Sequence, residues 1–120
     1  MYRVYLYATA TGSSPVRDFL DDLPEKQAAK VVAAVDYLGH MGPALQRPHA
    51  AHLRGKLWEL RVSWARLEYR VLYAFLAQKN IVLLHAFTKK SDAVPAREIR
   101  TAEVRLGDFE NRVRSGEVTL

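Results

Sequence analysis

The residues of this chain best suited to chemistry are Arg61 in LWELRVSWA, Arg70 in LEYRVLYAFLA, and His85, Lys89 and Lys90 in the HAFTKK that ends IVLLHAFTKK. Clustered Arg and Lys can hold negative charge as it develops on a substrate. A histidine, or a lysine whose pKa is lowered by cationic neighbours, can move a proton. No carboxylate pair, glycine-rich phosphate loop or Ser-His-Asp arrangement competes with this set. The four histidines, His40, His49, His52 and His85, lack a metal-ligand spacing, and His49 and His52 in a loop are a poor zinc signal. The same residues also have a structural reading. Arg61 and Arg70 can pair with Glu59 or Glu68 on the sheet, His85 can be a hydrogen-bonded core residue, and Lys89-Lys90 can be a solvated strand end. Convergence on one surface is what separates the two readings.

Strand alternation decides which side chains can converge. In residues 57–65, Trp58, Leu60, Val62 and Trp64 point one way, while Glu59, Arg61 and Ser63 point the other. In residues 67–77, Tyr69, Val71, Tyr73 and Phe75 share one face, with Glu68 and Arg70 on the opposite one. The third run, 80–90, puts His85, Phe87 and Lys89 on one side and Lys90 on the other. Short connections at Ala65–Leu67 and Gln78–Asn80 predict an antiparallel meander. That meander brings Arg61, Arg70 and HAFTKK close together.

The remaining elements frame these strands. YRVYLY (2–7) reads as a first strand. SSPVRDFLDDL starts a helix capped by Ser13 or Ser14, with Val16, Phe19, Leu20 and Leu23 on one face, and Pro24 ends it. A second helix is predicted from about Glu25 to Met41, with Ala28, Val31, Val32, Val35 and Leu38 in register. Residues 42–56 read as a loop with one helical turn. The last helix lies within 94–116, where Ile99, Ala102, Leu106, Phe109 and Val113 recur at helical spacing. The expected fold is a single α+β domain over residues 1–120, in the order β-α-α-β-β-β-α. It has a largely antiparallel four-stranded sheet with its helices on one face. Trp58, Leu60, Val62, Val71, Leu84, Leu106 and Phe109 are the expected core.

Composition bounds the function. The 120 residues are 49% hydrophobic and 26% charged, ordinary globular values. Cysteine is absent, which excludes disulfides and thiol chemistry. The start has no signal-peptide pattern, and no window approaches the ~20 apolar residues of a membrane span, so a soluble cytoplasmic protein without a membrane partner is expected. The formal charge is +5. Between Arg47 and Arg100 eleven Lys and Arg face four acids, so positive charge concentrates where the strands are and suits a polyanionic partner.

The combination of LRGK (53–56), LWELRV, EYRVLY, IVLLHAFTKK and the helix AREIRTAEVRL after Pro95 resembles the phage-derived, HigB-like branch of the RelE/ParE toxin superfamily. The resemblance spans almost the whole chain. It implies a small RelE-like fold and the toxin half of a type II toxin–antitoxin pair. The implied activity is a ribosome-dependent mRNA endoribonuclease that inhibits translation, held silent by a cognate helix-turn-helix antitoxin. The positions that match are Arg61, Arg70, His85, Lys89 and Lys90 for catalysis, and Arg54, Lys56 and Phe87 for RNA binding. No cofactor or metal is implied. RNA carries its own nucleophile, the 2′-hydroxyl. Scission needs a proton acceptor for that hydroxyl, cations for the phosphorane and a proton for the leaving 5′-oxygen. An aromatic such as Phe87 can stack an exposed base. Two other functions suit the same sequence: a ParE-like gyrase-inhibiting toxin, and a basic RNA-binding module without catalysis.

Overall fold

The computed structural model describes residues 1–120. The chain runs β1 (Arg3–Leu6), α1 (Pro15–Asp22), α2 (Glu25–Met41), a 3₁₀ turn (Gly42–Ala44), β2 (Ala50–Arg54), β3 (Leu57–Trp64), β4 (Leu67–Leu76), β5 (Asn80–Lys89) and α3 (Ala96–Arg114). The five strands form one open mixed sheet in the order β1-β5-β4-β3-β2. The β3–β4–β5 meander follows the sequence expectation. Trp64 pairs with Leu67 across the two-residue connection Ala65-Arg66, where Ala65 adopts a φ of 53°. Positive φ in so short a loop matches the right-handed twist of the strands it joins.

Segment 42–56, expected to be a loop, supplies a fifth strand as well as the helical turn. β2 pairs antiparallel with β3, from Ala50↔Leu60 to Arg54↔Leu57. Two small alanines and a register shift between His52 and Arg54 hide its alternation. Its clearest signal is Gly55-Lys56, a two-residue connection with Gly55 at a φ of 56°. At the other edge β1 joins the sheet in parallel with β5, from Arg3↔Asn80 to Leu6↔Leu83, an orientation the sequence reading left open. β1 and β2 are thus at opposite edges, and a long crossover over one face must join them. α1 and α2 are that crossover.

Helices cover both faces of the sheet, not one. α1 and α2 bury Val16, Val31 and Leu38 against Leu60, Val62, Tyr69, Val71 and Tyr73. α3 buries Ala102, Leu106 and Phe109 against Leu57, Leu72, Ala74, Val82 and Leu84. The reason lies in β4 and β5, whose central residues are apolar on both faces, as strands buried on both sides must be. Of the expected core, Leu60, Val62, Val71, Leu84, Leu106 and Phe109 are buried, and Trp58 packs half-buried at the margin. Val32, placed with the apolar face of α2, is exposed. Ser14 does occupy the N-cap of α1, but its hydroxyl donates to the Tyr7 carbonyl at 3.2 Å rather than to the helix. Gly42 ends α2 at a φ of 54°, where a Cβ would lie 2.3 Å from the Tyr2 ring. Only glycine satisfies both demands.

Leu106 is 6% exposed at the centre of the α3 layer. Leu106→Ala is expected to cost about 2–5 kcal/mol in denaturant unfolding, by lost transfer energy and a residual cavity. A loss below about 1 kcal/mol would show that α3 is not held by this contact. α3 covers the sheet only in part. The end of β3 and β4 that carries Arg61, Ser63, Glu68 and Arg70 opens into a cleft.

Candidate functional site

Strand register places the site. Arg61 lies opposite Arg70, and Arg70 opposite Phe87; Ser63 lies opposite Glu68, and Glu68 opposite Lys89. Glu59 is opposite Leu72, which is opposite His85. Directly opposed residues share a face, so three rows cross the α3 side of the sheet. A bulge makes this possible: Tyr73 pairs with Leu83 but Leu72 with His85, so Leu84 is the extra residue. It turns His85, Phe87 and Lys89 towards the arginines instead of leaving them in phase with Leu83.

Two arginines directly opposed repel one another, and two glutamates offset this. Glu59, its side chain 4% exposed, accepts from Arg61 Nε at 2.7 Å. The same oxygen lies 3.4 Å from Arg70 Nε, a charge contact without hydrogen-bond geometry, so that buried nitrogen has no hydrogen-bond partner. Arg70 Nη1 donates to Glu68 at 3.2 Å and to the Tyr69 carbonyl at 3.0 Å. Glu68 also accepts from the Ser63 hydroxyl at 2.6 Å. That bond, then Arg70 and Lys89, holds the Glu68 carboxyl below the usual carboxylate range. Arg61 donates only through Nε, so its terminal nitrogens are uncommitted. The pairing predicted as the structural alternative is therefore present, and it also fixes both guanidinium groups at the cleft.

The cleft has a volume of about 660 Å³ and wraps around the edge of β3 beyond its pairing with β2, so that α2, from the opposite face, and the residues before β2 form its other wall. Lys30, Tyr37 and His49 line it there. The Lys30 ammonium donates to the Ser63 carbonyl and lies 5.9 Å from the centre of the Trp64 ring. A second hollow of about 390 Å³ is lined by Phe87, Lys89, Lys90, Arg97 and Glu98. Since Arg70 and Glu68 oppose Phe87 and Lys89, the two hollows are neighbours across the β4–β5 pair. Lys30, Arg61 and Arg70 line the first hollow with Glu68, and Lys89, Lys90 and Arg97 line the second with Glu98.

His85 is fully engaged. Arg105 Nη1, which can only donate, reaches His85 Nδ1 at 3.0 Å and also the Leu84 carbonyl at 2.9 Å. The ring proton is therefore on Nε2, which faces Glu98 at 3.1 Å, and the imidazole is neutral. Burial pushes its pKa below the ordinary value of 6.5, outweighing the pull of Glu98. A lowered folded pKa means that the unfolded chain binds the extra proton first. Stability is thus expected to fall as pH drops from about 6.5 towards the folded pKa, and to level off below it. Melting temperatures between pH 7 and pH 5 check this, and His85→Gln is expected to flatten that part of the profile.

Three of the sequence candidates lie elsewhere or pack inward. Arg54 pairs with Glu103 at 2.7 Å and Lys56 with Glu110 at 2.8 Å, tying the β2–β3 connection to α3 at the far end of β3 from Arg61. Phe87 is 8% exposed and belongs to the α3 core, with His85 stacked on it at 5.4 Å between ring centres. Lys30, Tyr37, His49, Glu98 and Arg105 were not among the candidates. Lys30 and Tyr37 carry a legible signal, since residues seven apart share one face of a helix. Arg105 and Glu98 depend on how α3 docks, which no local pattern specifies.

No three His, Asp or Glu side chains converge as a metal site, and no helix is long and apolar enough to cross a membrane. No curated protein matches the chain by sequence. The model of the family described as "Phage derived protein Gp49-like (DUF891)" matches residues 18–107, from within α1 to within α3, a span that contains both arginines and both lysines. The chain belongs to this Gp49-like family of phage-derived proteins.

Proposed function

We propose that this protein is the toxin of a type II toxin–antitoxin pair, a cytoplasmic HigB-like member of the RelE/ParE superfamily that cleaves mRNA on the ribosome. The observation that carries this is the opposition of Arg61 and Arg70 at an open cleft, with Lys89 and Lys90 beside it, in a family of phage-derived proteins. The substrate 2′-oxygen attacks the adjacent phosphorus. Arg61 and Arg70 hold the phosphorane charge, and a Lys89 or Lys90 ammonium gives its proton to the departing 5′-oxygen. His85, held between Arg105 and Glu98, keeps Phe87 and β5 in place behind the lysines. A cognate helix-turn-helix antitoxin silences the enzyme by laying an acidic segment or a helix across the cleft.

The ion pairs of both arginines favour one second reading, a basic RNA-binding module without catalysis. Translating ribosomes carrying a defined mRNA separate the two. The toxin reading expects upstream fragments ending in a 2′,3′-cyclic phosphate or the derived 3′-phosphate, and no fragments when the antitoxin is bound. Intact mRNA, with binding that weakens steeply as salt rises, would support the module instead.

A further inference from the structure

His49 occupies a place in the cleft that no other histidine shares. The Arg61 amide donates to the His49 carbonyl at 2.8 Å, one step beyond the Ala50↔Leu60 pair. His49 is thus the backbone neighbour of Arg61 on one side, as Arg70 is on the other. Neighbouring strands are about 4.8 Å apart, so His49, Arg61 and Arg70 make a short row across the sheet. The His49 ring stands edge-on to Tyr37, with centres 6.0 Å apart and planes at 88°. It is exposed, and no hydrogen bond occupies either ring nitrogen. The other imidazoles do not offer this. Both His85 nitrogens are taken, His52 Nε2 is bonded to the Gly55 carbonyl at 2.7 Å, and His40 is not part of the cleft wall.

We propose that His49 is the proton acceptor for the reaction described above; the inference rests on that reading. A free ring nitrogen of His49 takes the 2′-hydroxyl proton as the O2′–P bond forms. The P–O5′ bond breaks, and the 5′-oxygen takes a proton from the Lys89 or Lys90 ammonium. A neutral imidazole suits this role because its ordinary charge change falls between about pH 5 and 8. The charged and titratable groups that line the cleft with it are Lys30, Arg61 and Arg70, the Glu68 carboxylate and the Tyr37 phenol.

The test uses His49→Ala and His49→Gln in the full chain, with folding checked by melting temperature, against ribosome-bound mRNA. Single-turnover cleavage is expected to fall ~10²-fold or more, the usual contribution of a positioned acid–base group. Added imidazole is expected to restore part of the rate of His49→Ala only. Affinity for a 2′-O-methyl oligoribonucleotide is expected to change by less than about threefold, since a base acts on the reacting proton and not on ground-state binding. Cleavage by His49→Ala at the wild-type rate, or an equal loss of rate and affinity, would overturn the assignment and leave the nuclease reading standing. Absence of cleavage by the wild-type protein would bring down both.

Discussion

Arg70→Ala is expected to slow mRNA cleavage by ~10²-fold or more, the scale of removing one preorganised charge stabiliser. The argument begins with burial: Arg70 is 6% exposed, yet its guanidinium lines the open cleft. Glu68 and the Tyr69 carbonyl fix its orientation, while its Nε has no hydrogen-bond partner. A guanidinium held this way needs little reorganisation when phosphorane charge appears beside it. Removing it has a second effect, because Glu59 then keeps only Arg61 as a counter-ion in a site where its own side chain is 4% exposed. Some stability is lost with the rate, since a buried carboxylate is left with less compensation. Lys90→Ala separates the two effects. Lys90 is exposed and makes no ion pair, so its loss is expected to lower the rate on the same scale while leaving the melting temperature unchanged. Rates are best read as single turnovers on ribosome-bound mRNA, with unfolding curves beside them. An Arg70→Ala protein that folds and cleaves at the wild-type rate would remove Arg70 from the mechanism.

The opposition of Arg61 and Arg70 was legible because two short-range signals fix it. Alternation in LWELRVSWA and LEYRVLYAFLA assigns the faces, and the two-residue connection at Ala65-Arg66 leaves little freedom of register. The extents of α2 and α3 were legible for similar reasons, through Pro24, Gly42 and the run from Ile99 to Val113. β2 was not, because Ala50 and Ala51 carry almost no β signature and the bulge before Arg54 breaks the period. Coverage of both faces was written in Leu72, Ala74 and Leu76, which are apolar on the side that Glu68 and Arg70 seemed to mark as polar. The polar stretch is confined to one end of β4, and only there is the face open.

The other wall of the cleft was beyond reach for a different reason. Lys30 and Tyr37 reach Ser63 and His49 only because α2 crosses from one sheet edge to the other, which depends on β1 pairing in parallel with β5. That pairing is a tertiary choice with no local signature. The engagement of His85 is tertiary in the same way, since Arg105 and Glu98 arrive from α3. Along the chain His85 admitted both a proton-transfer and a hydrogen-bonded core reading, and in the fold both its nitrogens are spent.

The largest effect of all is expected from the substrate. Replacing the 2′-hydroxyl at the cleavage site with 2′-O-methyl is expected to abolish cutting, because the attacking oxygen is then blocked and no protein side chain substitutes for it. Binding is expected to persist, because in the proposed mechanism Arg61, Arg70, Lys89 and Lys90 address phosphate and not the 2′-oxygen. The measurement is a paired experiment on one mRNA, modified or unmodified at the mapped site, with fragment yield and complex formation read in the same reaction. The mechanism predicts a bound, intact 2′-O-methyl transcript beside a cleaved control. Cleavage of the modified transcript at the normal rate would contradict it, because the nucleophile would then have to be a water or hydroxide and not the RNA itself.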